Sequence, residues 1–271
     1  MAKPGNDTIS ALGRPLASGR TAEIFAWPGE QALKLFYDGC KPEDVESEAR
    51  TARAIHAGGL PVPAVGEIVR VGNRIGLLYQ RVDGDSMWQM LSRRPWKLLR
   101  YARRMAELHA EMHARVAPTA LPSQRQQLLD KIRRADPLPA PLRFQALGAL
   151  ETLADGERLC HGDFHAGNIL MSPHGEKIID WRDASGGNPS ADLARSSILT
   201  LGALASGHVR TPLRKAVFRS FHGAYLRHYL ALSPGREDEY RRWLPSVAAA
   251  RLSERIPEVE QWLLAQAQER V

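Results

Sequence analysis

The sequence predicts an α+β chain in which a small β-rich N-terminal lobe with one helix precedes a larger, mainly helical C-terminal lobe. In the first eighty residues, short apolar runs alternate with turn formers, a pattern typical of strands. After Gly84, apolar residues recur every three or four positions, which is typical of amphipathic helices. We therefore expect one lobe at 1–82 and a second at 83–271, joined near Asp83–Gly84.

The N-terminal lobe is predicted to hold one helix among its strands. This helix covers about Glu43–Ala57, because its first turn is acidic and Gly58–Gly59 and Pro61 follow it. Turn-forming pairs such as Pro28–Gly29 and Gly72–Asn73 separate the apolar runs. The four candidate strands are Glu23–Trp27, Gln31–Tyr37, Val65–Val71 and Arg74–Gln80.

The C-terminal lobe begins with the clearest helical pattern of the chain. A second helix is expected near Ser123–Arg134, and several prolines between 137 and 141 then interrupt the pattern. From Asp192 onward the chain is again predicted to be helical, and Asp192 can cap that helix. The apolar face of the first helix consists of Leu98, Tyr101, Met105, Leu108 and Met112.

Composition excludes several classes of protein. The chain is 44% hydrophobic and 25% charged, which is ordinary for a globular protein. Apolar stretches such as Ser196–Val209 are interrupted and shorter than the roughly 18–20 residues of a membrane span. The polar N-terminus has no apolar signal-like run. Two cysteines, Cys40 and Cys160, exclude a disulfide framework and a Cys-built zinc site. We expect a cytoplasmic protein without a membrane partner.

The net charge of +7 admits nucleic-acid binding as one interpretation. The positive excess lies in residues 86–158 and 201–271, whereas residues 159–200 hold more acidic than basic side chains. Aromatic residues make up 7% of the chain and do not interleave with the basic stretches as a stacking platform would. Solvated arginine-rich helix faces are the favoured interpretation, so no nucleic-acid partner is expected.

Residues 159–184 contain the candidate catalytic chemistry. A polar loop, His161–Asn168, is followed by two predicted short strands and then by Asp180. Because a hairpin fixes the distance between its ends, Asp163, Asn168 and Asp180 can converge on one point. Two carboxylates and an amide oxygen suit Mg²⁺, which takes its remaining ligands from water and substrate phosphates.

The HGDFHAGN loop, with Asp180 twelve residues after Asn168, resembles the catalytic and metal loops of the aminoglycoside phosphotransferase and choline kinase family. That family has the bilobal protein-kinase-like fold. The resemblance implies that Asp163 orients the acceptor hydroxyl and accepts its proton. It also implies that Asn168 and Asp180 hold Mg²⁺ against the nucleotide phosphates, and that His161 and Asp192 support the loop.

The N-terminal lobe offers a candidate lysine for the nucleotide. Lys34 lies in an alternating strand, where a buried ammonium needs a partner or a ligand anion. The resemblance implies that Lys34 pairs with Glu48 and places the α- and β-phosphates. Glu46 is the alternative partner, but it lies about 200° round the helix from Glu48, and Glu48 precedes the apolar stripe. An ion pair unrelated to nucleotide remains open.

Two further segments are nucleotide-binding candidates. The phosphate-covering loop should lie in GRPLASGRTAEIF, where Ser18 and Gly19 can offer a hydroxyl and backbone amides. This loop departs from the kinase glycine pattern, since it has only Gly13 and Gly19. The segment after the last predicted strand resembles a hinge, which implies adenine contacts at the Gln80 carbonyl and the Val82 amide. An ordinary strand end and turn would explain the same residues.

The acceptor is the least determined part of the prediction. Asp183 can bond an acceptor hydroxyl or ammonium, or it can cap its own turn. Arg251 and Glu254 can line a pocket or form a helix–helix contact. A polycationic acceptor needs clustered carboxylates, and the cluster Glu237–Glu239 is surrounded by arginines. A neutral or anionic acceptor is therefore at least as plausible.

The favoured prediction is an ATP- or GTP-dependent, Mg²⁺-using phosphotransferase that acts on a hydroxyl of a small molecule. A protein kinase is disfavoured because no Ala-Pro-Glu follows Asp180 and the segment to Asp192 is short. Two further hypotheses also stay open, a nucleotide-binding protein without catalysis and a basic RNA-binding module. The sequence determines neither the acceptor, nor the preferred nucleotide, nor the oligomeric state.

Overall fold

The computed structural model describes residues 12–207 and 209–269, which divide into two compact units. The first unit extends to Asp85 and also contains Ile169–Arg182. The second contains Ser86–Asn168 and the chain from Asp183 onward. The sequence indicated one boundary near residue 82 and did not assign the later hairpin to the N-terminal unit.

The first unit is built on an antiparallel five-stranded sheet with the order β1-β2-β3-β5-β4. The four strands predicted from the sequence are all present, and each predicted end lies within one residue of the observed end. They were predictable because an alternating pattern and turn-forming glycines are local signals. Gly29 and Gly72 have φ of 76° and 58°, a conformation that favours glycine. The strands are β1 (Ala17–Ser18), β2 (Ala22–Trp27), β3 (Gln31–Phe36), β4 (Val65–Val71) and β5 (Arg74–Gln80).

Helix α1 (Pro42–Ala57) packs on one face of this sheet. Phe36 of β3 lies in one hydrophobic cluster with Val45 and Ala49 of α1, whereas Leu35 belongs to a separate cluster. Successive strand residues point to opposite faces, so Lys34 lies on the same face as Phe36. The strand pattern therefore directs the Lys34 side chain towards α1.

A second hairpin completes the first unit. Strands β8 (Ile169–Ser172) and β9 (Gly175–Ile178) pair antiparallel, and Gly175 turns the chain with φ of 102°. The Ile178 amide donates to the Pro61 carbonyl at 2.8 Å, which ties the hairpin to the first unit. This hairpin delivers Asp180 to that unit.

The second unit is mainly helical, with a small sheet in which β7 (Arg158–Cys160) pairs antiparallel with β10 (Ser185–Gly187). Helix α3 packs on α7, and α6 packs on α8. A two-residue strand, β6 (Asp85–Ser86), crosses the unit boundary. The helices are α2 (Met87–Arg93), α3 (Leu98–His113), α4 (Gln124–Arg133), α5 (Ala140–Thr152), α6 (Pro189–Ala205), α7 (Pro212–Leu232), α8 (Glu237–Arg251) and α9 (Pro257–Gln268).

Two features of this unit differ from the prediction. The prolines near residue 140 do not end the helical pattern, because Pro141 lies in the first turn of α5, where a missing backbone N–H is tolerated. Helix α6 is capped by Asn188, whose side chain accepts a hydrogen bond from the Ser190 amide. Asp192 lies one turn further on and is available for another role. In the described part of the chain, every helix is too short or too polar to cross a membrane.

Candidate active site

Lys34 is the centre of an ion-pair cluster in the first unit. Its Nζ lies 2.7 Å from Glu48 Oε1 and 2.9 Å from Asp180 Oδ1. Glu46, the alternative partner, instead faces Arg50 on the surface at 3.8 Å. Burial lowers the pKa of Lys34, but the charges of Asp180 and Glu48 outweigh burial and raise it. The lysine is therefore a fixed cation.

The two carboxylates beside Lys34 differ in their surroundings. Glu48 is almost fully buried and also accepts a hydrogen bond from the Tyr79 hydroxyl at 3.0 Å. The Asp180 side chain is 43% exposed, and its backbone has a φ of 65°. A positive φ in a residue other than glycine is strained and often occurs at functional sites. Glu48 thus fixes the lysine, whereas Asp180 keeps oxygen atoms accessible to a ligand.

The other nucleotide-binding candidates lie on the first unit's sheet or next to it. Ser18 ends β1 and is exposed, and the Gly19 amide donates to the Ala22 carbonyl at 2.9 Å within the following turn. Gln80 ends β5, and its backbone N–H donates to the Ala64 carbonyl at 2.8 Å. Val82 follows in irregular, half-buried backbone.

In the second unit, Asp163 follows β7 in a tight loop. Asn168 Nδ2 donates to both the Asp163 carbonyl and its carboxylate Oδ2, at 2.9 and 3.1 Å. Burial would raise the pKa of Asp163, but the nearby rings and guanidinium of His165, Arg195 and His161 lower it to about 2. His165 Nε2 is 3.7 Å away, beyond hydrogen-bond distance, so its effect is electrostatic. Asp163 is therefore ionised at neutral pH.

The hydrogen bonds of Asn168 determine which of its atoms can bind a cation. Because Nδ2 donates to Asp163, the side-chain oxygen Oδ1 is the atom that can bind a cation. Asn168 Oδ1 and the Asp180 carboxylate are both hard oxygen donors, the kind that Mg²⁺ prefers. Asn168 belongs to the second unit and Asp180 to the first.

Asp192 holds the loop that carries Asp163 through two backbone amides. Its Oδ2 accepts the His161 amide at 2.7 Å, and its Oδ1 accepts the Gly162 amide at 2.8 Å. The His161 ring is buried, and its Nδ1 accepts the Asp163 amide at 3.2 Å. These contacts fit the supporting roles that the resemblance implies for His161 and Asp192.

Sequence reasoning missed the residues that hold Asp192. His109 and His113 of α3 each place Nε2 3.2 Å from Asp192 Oδ2, and their Nδ1 atoms lie 2.5 and 2.6 Å from the hydroxyls of Tyr225 and Tyr229 on α7. Burial lowers the pKa of His109 to about 3, so the ring is neutral. The available signal was the matching four-residue spacing of the two histidines and the two tyrosines.

Arg195, which was also missed, lies one turn after Asp192 on α6. Its Nε donates to the Gly162 carbonyl at 3.0 Å, and its Nη2 lies 2.5 Å from Glu254 Oε1 and 4.0 Å from Asp163 Oδ1. Helix α6 thus binds both backbone polar groups of Gly162, through a carboxylate and a guanidinium three residues apart.

Asp183, the acceptor-binding candidate, lies beside the same loop. Its Oδ1 accepts from Lys131 Nζ of α4 at 2.9 Å. Burial raises the pKa of Asp183, but the Lys131 ammonium outweighs burial and lowers it. Gly162 has a φ of 76°, and a Cβ atom there would overlap the Asp183 carbonyl oxygen. Asp183 therefore packs directly against the loop as well as facing Lys131.

Comparison with known proteins identifies the class. Residues 13–245 match the model of the phosphotransferase enzyme family, and the chain belongs to that family. It is a small-molecule phosphotransferase with the protein-kinase-like α+β fold. No curated protein sequence matched the chain.

Solved structures agree with this fold at low sequence identity. An aminoglycoside-3′-phosphotransferase of type VIII is 20% identical with a TM-score of 0.61, covering 89% of this chain and 91% of that one. A thermostable mutant of aminoglycoside phosphotransferase APH(4)-Ia, in a ternary complex with ADP and hygromycin B, is 17% identical with a TM-score of 0.64, covering 96% and 93%. A choline/ethanolamine kinase family protein from Mesorhizobium loti is 18% identical with a TM-score of 0.53, covering 92% and 84%.

Proposed function

We propose that the protein transfers the γ-phosphate of ATP or GTP to a hydroxyl group of a small molecule, with Asp163 as the catalytic carboxylate. The main support is the ionised Asp163, whose carboxylate is oriented by the Asn168 amide. The structures of APH(4)-Ia with ADP or AMP-PNP and hygromycin B lend support, since those relatives bind a nucleotide and a small-molecule acceptor.

In this proposal, Asp163 accepts a hydrogen bond from the acceptor hydroxyl and takes its proton as the new P–O bond forms. The bond from the γ-phosphorus to the bridging oxygen breaks, and the nucleoside diphosphate leaves. With a pKa of about 2, Asp163 is a weak base, so its main contribution is to orient the hydroxyl for attack. This agrees with phosphoryl transfer in general, which depends on positioning and on neutralising charge.

Lys34 is proposed to bind the nucleotide phosphates, with Glu48 fixing its position. Ser18 and Gly19 would approach the phosphates, and Gln80 and Val82 would contact the base through the main chain. Asn168 and Asp180 would supply oxygen ligands for Mg²⁺, which when bound would neutralise charge on the phosphates.

The test is transfer of labelled γ-phosphate from Mg²⁺–ATP and Mg²⁺–GTP to pooled hydroxyl compounds. The pools contain aminoglycosides, macrolides, choline-like alcohols, sugars, sugar acids and nucleosides. We expect label in at least one pool, and none with Asp163→Asn, which keeps the size of the side chain and removes its charge. This variant should retain its affinity for nucleotide, because Asp163 faces the acceptor.

The alternative hypothesis is that the protein binds nucleotide without catalysing transfer. Full transfer by Asp163→Asn would remove Asp163 from the mechanism. Absence of nucleotide binding by the unmodified chain, measured by calorimetry, would reject the proposal as a whole.

A further inference from the structure

The start of α3 carries exposed apolar side chains on its outer face. A one-turn 3₁₀ helix, Pro95–Lys97, leads directly into α3. Trp96 and Leu99 are 74% and 69% exposed, whereas Tyr101 and Met105 are buried. Because Trp96 and Leu99 are three residues apart, they lie on the same side of the helical segment. The inner face of α3 therefore supplies the core, and the outer face presents a tryptophan and a leucine to solvent.

Basic residues surround these two side chains, and residues 86–106 contain no Asp or Glu. Arg104 reaches acidic partners on the following turns of α3, at 3.3 and 3.1 Å. Arg100 and Arg103 are exposed and follow Trp96 by four and seven residues, so their charges lie on the same face as the apolar pair. Arg94 and Lys97 flank the tryptophan in sequence. The outer face of this segment is therefore both apolar and positively charged.

The start of α7 extends the same surface. The two histidine–tyrosine pairs described above join α3 to α7 with one constant offset of 116 residues. The two helices therefore run parallel and begin at the same end of the second unit. Leu213, in the first turn of α7, is 76% exposed, and Arg210 and Arg214 beside it are exposed as well. Residues 193–236 contain no Asp or Glu, so this end of the helix pair has one sign of charge.

We propose that this surface docks the protein on an anionic lipid membrane. Trp96, Leu99 and Leu213 would enter the headgroup region, and the surrounding basic side chains would contact the lipid phosphates. Exposed apolar side chains among Lys and Arg are the combination that binds a bilayer surface, and tryptophan favours this depth because its ring is apolar and carries one N–H donor. Surface binding needs neither a spanning helix nor a signal-like run, so the proposal departs from the expectation of no membrane partner.

Charge and side-chain type disfavour two other occupants of this surface. A second copy of the chain would bring two positive faces together, and like charges across an interface are costly. Single-stranded RNA matches the charge, but its bases bind by stacking on aromatic rings. Two of the three exposed apolar side chains here are leucines, which offer no stacking surface. An anionic bilayer matches the positive charge and also accepts aliphatic side chains.

Co-sedimentation of the full chain with lipid vesicles tests the proposal. Vesicles of phosphatidylcholine alone are compared with vesicles that are one third phosphatidylglycerol. We expect the anionic vesicles to bind the protein at least about tenfold more tightly, because each basic side chain near the surface adds attraction. Added salt should weaken this binding, since it screens the charges. Equal binding to both kinds of vesicle, or binding to neither, would overturn the proposal.

Variants of the tryptophan test the apolar contact. Trp96→Ala should weaken binding to the anionic vesicles about tenfold, because a large apolar side chain is lost from the contact. Phe144→Ala is the matched control, since Phe144 on α5 is 81% exposed and lies outside this surface. Trp96→Phe should still bind, but the blue shift of tryptophan fluorescence on binding should disappear. A blue shift that persists in Trp96→Phe would contradict the insertion of Trp96.

A charge variant tests the basic side chains. Arg100→Gln/Arg103→Gln should weaken binding about twentyfold, since each basic residue near an anionic surface contributes about fivefold. Arg133→Gln/Arg242→Gln removes the same charge from exposed positions of α4 and α8 and should bind like the unmodified chain. All four positions are exposed, so the melting temperature should not change. Equal loss of binding in the two double variants would mean that net charge alone, and not this surface, attracts the protein.

Titration with single-stranded RNA at the same salt concentration distinguishes the remaining ligand. We expect RNA binding to be weaker than vesicle binding and insensitive to Trp96→Ala. Saturable RNA binding that Trp96→Ala weakens, without binding to the anionic vesicles, would reassign this surface to nucleic acid and overturn the proposal.

Discussion

At the scale of single residues, Gly162 is constrained both by its backbone contacts and by the lack of space for a side chain. Its amide and its carbonyl are both held by α6, and Asp183 fills the space where a Cβ would stand. A glycine is required here for two separate reasons, a φ of 76° and the absence of a side chain. The position of Asp163, the next residue, follows from these constraints.

We therefore expect Gly162→Ala to lower phosphate transfer by at least tenfold and to destabilise the protein. Gly207→Ala is the matched control, because Gly207 has a φ of 75° with open space around it. Both variants bear the backbone strain of about 1–2 kcal/mol, and only Gly162→Ala adds the overlap with Asp183. Urea unfolding and turnover, measured on both, separate the two effects. Equal turnover in the two variants would show that the packing of Gly162 does not position Asp163.

At the scale of elements, helix α6 holds the loop that carries Asp163. It presents an acceptor, Asp192, and a donor, Arg195, to the two sides of one peptide segment. Arg195 is itself held by Glu254, which follows α8. The guanidinium also contributes to the low pKa of Asp163.

Arg195→Lys should lower kcat about tenfold and leave KM for ATP nearly unchanged, because the forked contact to Gly162 and Glu254 is lost while the charge remains. Arg195→Met removes the charge as well and raises the pKa of Asp163. The acid limb of its kcat profile should then move to higher pH, which a purely structural defect would not produce. An unshifted acid limb in Arg195→Met would contradict this electrostatic role.

The contact between α6 and α7 predicts how stability depends on pH. His222 of α7 lies 2.9 Å from Ser197 of α6, and burial lowers its pKa to about 4. Between about pH 4 and the unfolded value near 6.5, the unfolded chain binds a proton at this position and the folded chain does not. The free energy of unfolding therefore decreases as the pH is lowered through this window, by about 1.4 kcal/mol per pH unit for each such histidine.

Between pH 6.5 and about 4, the free energy of unfolding should depend less steeply on pH in His222→Gln, because one titrating group is removed. Ser197→Ala is the control, since it removes the hydrogen-bond partner and introduces no titrating group. Urea unfolding at several pH values measures the slopes. The same slope in His222→Gln and in the unmodified chain would mean that His222 titrates alike in both states.

The same elements show what the sequence could and could not predict. Strands β2 to β5 and α1 were predictable because periodicity and turn glycines act over a few residues. The partners of Asp192 were not, because His109 and His113 are 83 and 79 residues away and only the packing of α3, α6 and α7 brings them together. Lys131 and Arg195 looked like ordinary surface charges, since a sequence does not show which carboxylate a long side chain will reach. Asp163, Asn168 and Asp180 could be proposed as site residues from the sequence because their spacing forms a motif.

At the scale of the whole molecule, two kinds of ligand can be compared by how they stabilise the fold, namely Mg²⁺–ATP and single-stranded RNA. Mg²⁺–ATP at about 100 times its dissociation constant should stabilise the fold by about 2.7 kcal/mol, provided that it binds the folded state alone. Single-stranded RNA is attracted by the net charge of +7, but that attraction falls steeply with salt.

We therefore expect Mg²⁺–ATP to raise the melting temperature by several degrees at 0.2 M salt, and RNA to leave it unchanged.

Lys34→Met should lose the ATP-dependent rise, because the ammonium between Glu48 and Asp180 is the fixed cation offered to the phosphates. Since this variant also leaves Glu48 buried without its partner, it should melt lower before any ligand is added. The double variant Lys34→Met/Glu48→Gln should recover part of that stability without recovering the response to ATP. An ATP-dependent rise in Lys34→Met would place the phosphates elsewhere. A rise with RNA that persists at high salt, without one for ATP, would favour a nucleic-acid ligand instead.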